Sequence, residues 1–170
     1  AVPAGKARDY GLDRSMIAGY GHDDKVCAYT SLRAVLDGKK EKYTSVVVLV
    51  DKEEVGSIGA TGAQSLWFED VVMEMLAKEG KDSYLSLCHA LSPSKMLSSD
   101  VSCAVDPLYS GANEPNNSCY FSKGVVFNKY TGARGKSGCN DAMPEFLSFI
   151  RKAMDDNNIH FQTSEIGKVD

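Results

Sequence analysis

The run Ser45-Val-Val-Val-Leu-Val50 has no polar face and leads directly into Asp51-Lys-Glu-Glu54. Apolar side chains at every position from 46 to 50 predict a strand covered on both sides, the pattern of a central strand in a parallel sheet. Ligands of open α/β sheets bind beyond the carboxyl ends of the strands, which puts Glu53 and Glu54 where chemistry is expected. Neighbours on a strand point apart, so both carboxylates serve one site only if the chain turns out of the sheet after Val50. Gly56 and Gly59 suit such a turn. A solvated charge cluster at a strand end is the plainer alternative.

Around this run the pattern alternates. After an irregular start, Asp23 or Asp24 is placed to cap a helix through Cys27, Leu32, Val35 and Leu36, with Gly38 to end it. Beyond the glycine-rich stretch 56–62, Leu66, Phe68, Val71, Val72, Met75 and Leu76 recur at helical spacing until Gly80. A short helix is expected over 85–91, broken at Ser92-Pro93, and an extended segment over 96–105 that contains Asp100. Gly111 to Ser118 reads as a loop and Gly124-Val-Val-Phe127 as a short strand. A last helix is capped by Asp141, has Pro144 in its first turn and buries Phe146, Leu147, Ile150, Ala153 and Met154. Strands alternating with helices predict an α/β fold.

A chain of 170 residues suits one domain. Its 19 basic against 23 acidic residues, a net charge of −4, argue against nucleic acid or a membrane as the main partner. Five widely spaced cysteines with no Cys-x-x-Cys pair fit a reducing cytoplasm better than a disulfide scaffold.

Metal-assisted hydrolysis needs several anionic ligands converging on cations, and Asp23, Asp24, Glu53, Glu54 and Asp100 are the candidates. Helix capping alone accounts for the Asp pair. Asp100 asks for more, because strands are depleted in aspartate and no turn signal surrounds it. His22, His89 and His160 form no zinc signature, and Cys27 and Cys103 read as small core hydrophobes. Gly132-Ala-Arg-Gly-Lys-Ser137 resembles a phosphate loop, yet Tyr130 stands where the first glycine is required, which leaves nucleotide hydrolysis a weak alternative.

Three ordered motifs, Gly21-His-Asp-Asp-Lys-Val-Cys27, Val48-Leu-Val-Asp-Lys-Glu-Glu-Val-Gly56 with Gly62-Ala-Gln-Ser65, and Ser98-Ser-Asp-Val-Ser-Cys-Ala104, resemble the M18 metalloaminopeptidases, and most of all their bacterial branch. The likeness runs from Val2-Pro-Ala-Gly-Lys6 to Glu165-Ile-Gly-Lys-Val-Asp170. It implies a phosphorylase/hydrolase-like α/β fold, a three-layer sandwich with a mixed, largely parallel central sheet. It also implies a site for two divalent metal ions, zinc first, with cobalt or manganese as alternatives, and a homo-oligomer, in the family a dodecamer, acting on peptides. By position, Asp23 would bridge the metals, Glu53 would be the general base, and Glu54 and Asp100 would each be a terminal ligand. Asp24 then reverts to helix capping.

The family also uses an upstream His-x-Asp motif and a late histidine, neither of which lies in these residues. The chain is therefore expected to be part of the catalytic domain of a longer polypeptide, without the family's inserted β-rich domain, and inactive alone. An interaction or assembly fragment of the same fold is the alternative. Acid-preferring members carry a Lys-Gly-Pro-Val-Ile-Lys pattern, and here the stretch is Lys123-Gly-Val-Val-Phe-Asn128. Asn128 replaces the final lysine, with Lys129 and Arg134 nearby as substrate-binding candidates.

Overall fold

The structure is a computed structural model and describes residues 1–39, 42–130 and 142–165. The chain divides into two compact units, Ala1–Asp100 and Val101–Asp170.

In the first unit, β1 (Arg8–Tyr10) and β2 (Met16–Ala18) form an antiparallel hairpin. Its turn is fastened by Asp13, whose Oδ1 accepts from the backbone N–H and the hydroxyl of Ser15, at 3.2 and 2.9 Å. Helix α1 (His22–Asp37) follows and ends at Gly38 as the sequence predicts. Its N-cap is Gly21, in the left-handed conformation, so the capping expected of Asp24 is not made; Asp23 and Asp24 themselves hold non-helical dihedrals. Helix α2 (Trp67–Lys78) packs against α3 (Tyr84–Leu91), on which Leu87 is 2% exposed. Ser83 caps α3 by accepting from the Ser86 N–H at 3.1 Å.

The expected central strand over 45–50 does not form. Residues 45–50 carry no regular secondary structure and pair with no strand among the described residues, and Val46, Leu49 and Val50 are 57%, 59% and 45% exposed. An apolar run becomes a covered strand only when neighbours accept its backbone bonds and layers close both faces. Nothing described here does either. The segment 96–105 likewise forms no strand beyond a single bridge at Ala104, so the depletion argument for Asp100 loses its premise.

In the second unit, β3 (Val125–Tyr130) pairs in parallel with β4 (Phe161–Glu165) through α4 (Pro144–Asp156). This is one strand–helix–strand unit, with the Phe127 and Phe161 rings 5.5 Å apart. On α4, Phe146, Leu147, Ile150 and Met154 are half-buried while Ala153 is exposed, and the N-cap is Met143. Asp141 lies outside the described residues. The Gln162 amide donates to the carbonyls of Tyr120 and Gly124 (2.9 and 3.1 Å) and accepts from the Tyr120 N–H (3.0 Å), tying the entry of β3 to β4. Short 3-10 turns, Pro107–Ala112 and Pro115–Asn117, fill the predicted loop. The fold is mixed α/β, built among the described residues from one antiparallel and one parallel two-stranded sheet.

Candidate metal centre

The first unit holds a cleft of about 660 Å³ lined by Asp23, Asp24, Val50, Asp51, Lys52, Glu53, Glu54, Val55 and Asp100. Every carboxylate proposed from the sequence faces it. Asp23 and Asp24 arrive on the non-helical entry to α1, joined by a cis peptide bond. Glu53 and Glu54 arrive on a 3-10 turn, Glu53–Val55, that begins at Lys52 in the left-handed conformation and ends at Gly56, also left-handed. A turn after Val50 is the device the sequence required, although the segment before it is no sheet strand. It is closed by the Gly56 N–H to the Glu53 carbonyl (2.9 Å) and the Ser57 N–H to the Lys52 carbonyl (2.8 Å).

Six carboxylates therefore share the cleft with one ammonium, and that ammonium, Lys52 Nζ, lies 3.1 Å from Asp51 Oδ2. The backbone N–H and ammonium of Lys52 hold the Asp51 carboxyl below the ordinary range. Glu53 goes the other way. The charge of Glu54 above all, then desolvation, then the charges of Asp100, Asp23 and Asp24 raise its pKa above the usual glutamate value. A field that resists one more negative charge is a field that attracts cations. Asp51 and Lys52 were not among the expected site residues, although the acidic run Asp51–Glu54 was the signal for them.

The donors are hard oxygen ligands, suited to divalent cations in general and incomplete as a set for zinc, which prefers nitrogen or sulfur among its ligands. Neither His22, at the first position of α1, nor Cys27 lines the cleft. Among the described residues no three His, Cys, Asp or Glu side chains are gathered closely enough to hold an ion by themselves. The carboxylates thus face a common space without closing on one point.

The substrate-binding candidates belong to the second unit. Asn128 stands on β3, where its Oδ1 accepts from the Ser164 hydroxyl (2.7 Å) and its Nδ2 donates toward Ser102 Oγ (3.4 Å); Ser164 is 4% exposed. Lys129 is on the same strand with its side chain outside the described atoms, and Arg134, with the whole phosphate-loop-like segment, lies outside the described residues. No helix among the described residues is long and apolar enough to cross a membrane.

The model of a family described as aminopeptidase I zinc metalloprotease (M18) matches residues 1–170. A probable M18 family aminopeptidase 1 of Clostridium acetobutylicum is 57% identical over 169 residues, which cover 99% of this chain and 36% of that protein. The crystal structure of aminopeptidase I from the same organism superposes with a TM-score of 0.87 over the same shares. The M18 family aminopeptidase of Thermotoga maritima, 42% identical, superposes at 0.92 and is covered to 38% of its length, against 99% of this chain. The chain spans little more than a third of the length of the relatives it matches. With the family model matching from end to end, this chain belongs to the M18 family of zinc metallopeptidases.

Proposed function

We propose that the chain is part of the catalytic domain of a metal-dependent aminopeptidase, and that the acidic cleft is its metal site. The observation that carries this reading is the convergence of Asp23, Glu53, Glu54 and Asp100, drawn from three separate motifs, on one cleft. Asp23 would bridge two divalent ions, zinc above all, with Glu54 and Asp100 each holding one of them. Ions bound there would polarise the scissile carbonyl and make a water molecule acidic enough to attack it. Glu53 takes that water's proton and delivers it to the leaving amine. A glutamate suits both halves of the task, since its carboxylate accepts the proton and its carboxylic acid gives it back. The histidine ligands of the family, its three-layer sandwich, its homo-oligomer and a cytoplasmic location belong to the same proposal for the intact protein.

The test joins elemental analysis to hydrolysis of amino-acid p-nitroanilides by the intact protein. Two transition-metal ions per chain and turnover that a chelator abolishes are expected; no metal and no turnover would leave the alternative, an assembly fragment of the same fold. That alternative is favoured by one observation, the absence of a closed ligand group among the described residues.

For specificity, the amide of Asn128 is already engaged at both ends, so the residue acts by carrying no charge rather than by contacting substrate. Neutral amino-terminal residues such as leucine or methionine should be cleaved at least as well as aspartate or glutamate. A preference for acidic substrates that disappears in Lys129→Ala or Arg134→Ala would contradict this and name the cation responsible.

A further inference from the structure

The Glu53–Val55 turn is held from behind by a second segment, Gly62–Gln64. The Gln64 Nε2 donates to the Gly56 carbonyl at 2.6 Å, and the Gln64 backbone N–H donates to the Ser57 carbonyl at 3.0 Å. Gly62 is buried, and a Cβ built on it would lie 2.2 Å from the Ser57 carbonyl oxygen, so the two segments approach as closely as backbones can. Ser65 then fixes the clamp to the start of α2, its hydroxyl donating to the Gly62 carbonyl at 2.7 Å. Gly56 and Ser57 are in turn the residues whose N–H groups close the turn, by donating to the Glu53 and Lys52 carbonyls.

Carboxylates that repel one another must be held in place by something other than their own contacts. Glu53 shares the cleft with Glu54, Asp100, Asp23 and Asp24, and like charges gathered in one cleft repel. We infer that Gln64 is a positioning residue for the aminopeptidase reaction: through the Gly56 carbonyl it fixes the turn that aims Glu53 and Glu54 into the cleft. The inference rests on the function proposed above. Gln64 does not line the cleft itself, so its side chain acts on the turn and not on substrate or metal.

The experiment compares Gln64→Met, equal in length but without a donor, with the unaltered intact protein. Expected, at saturating metal, are a fall in kcat of about 10-fold, the scale of one lost hydrogen bond expressed at the reacting groups, with KM held within about twofold. Hydrogen exchange at the Gly56 and Ser57 amides should quicken by about 10-fold or more. Unchanged kcat and unchanged exchange would overturn the inference. So would a rise in KM alone, which places Gln64 in substrate binding; weaker metal binding together with the fall in kcat would support it, because Glu54 rides on the same turn. Should Gln64→Met fail to fold, Gln64→Glu, of the same size and unable to donate when ionised, is read in its place; failure of both would overturn a positioning role in favour of a folding one. The exchange measurement does not require turnover, so an inactive but clamped parent protein would count against the proposed function and not against the clamp.

Discussion

The charge of Glu54 is the largest cause of the raised Glu53 pKa, and this shapes what substitution of Glu53 does. Between the ordinary glutamate pKa of 4.5 and its own raised value, the folded protein holds a proton that the unfolded chain has already released. Stability therefore falls as pH rises through that window. In chelator-treated protein, Glu53→Gln should raise the thermal midpoint at pH 7, and the difference from the parent should vanish below the ordinary glutamate pKa. A variant less stable than the parent at neutral pH would show that the carboxylates are not crowded. Asp23→Ala tests a different role: a bridge supports both ions, so elemental analysis should find neither retained at stoichiometric level. The candidate carboxylates were legible in the sequence because each belongs to a short ordered motif. Gln64 and Gly62 were legible only as part of the motif, since their contacts to Gly56 and Ser57 depend on how the loop folds back.

At the scale of elements, helices were more readable than strands, of which β3 alone was anticipated, as a short strand over 124–127. Helices α2 and α3 carry their information locally, in apolar spacing and in stops such as Gly80 and Ser92-Pro93, and they lie within a few residues of expectation. Strands depend on partners remote in sequence. The run 45–50 looked most like a strand and pairs with nothing described, whereas β4 was hidden because polar Gln162, Thr163 and Ser164 interrupt it while their bonds hold it in place. The hairpin β1–β2 had a usable signal in Gly11 and Asp13, a turn glycine and a side chain able to bond two residues on. Parallel pairing of β3 and β4 is pinned at Gly124, whose φ is +98° and whose added Cβ would lie 2.2 Å from the His160 carbonyl oxygen. Gly124→Ala should therefore cost about 2 kcal/mol or more in urea denaturation of the intact protein. A loss near zero would mean that the strands pair without this close approach.

For the molecule as a whole, the described residues bury few large side chains. Leu87 and Cys119 are the only hydrophobic residues among them below a tenth exposed, and no side chain is fully buried. For residues 1–170 alone, calorimetric titration should find weak zinc binding, since the carboxylates facing the cleft are oxygen donors. Tight one-to-one binding would instead bring His22 or a cysteine into the site.

The most direct test of a metal-dependent aminopeptidase built on this cleft is Glu53→Gln in the intact protein, with metal content and p-nitroanilide turnover measured on the same sample. Metal should be retained nearly in full while the rate falls by at least about 100-fold, the lower range for loss of a general base. Turnover close to that of the parent, or loss of the metal along with the activity, would contradict the assignment of Glu53 as the base beside a site held by Asp23, Glu54 and Asp100.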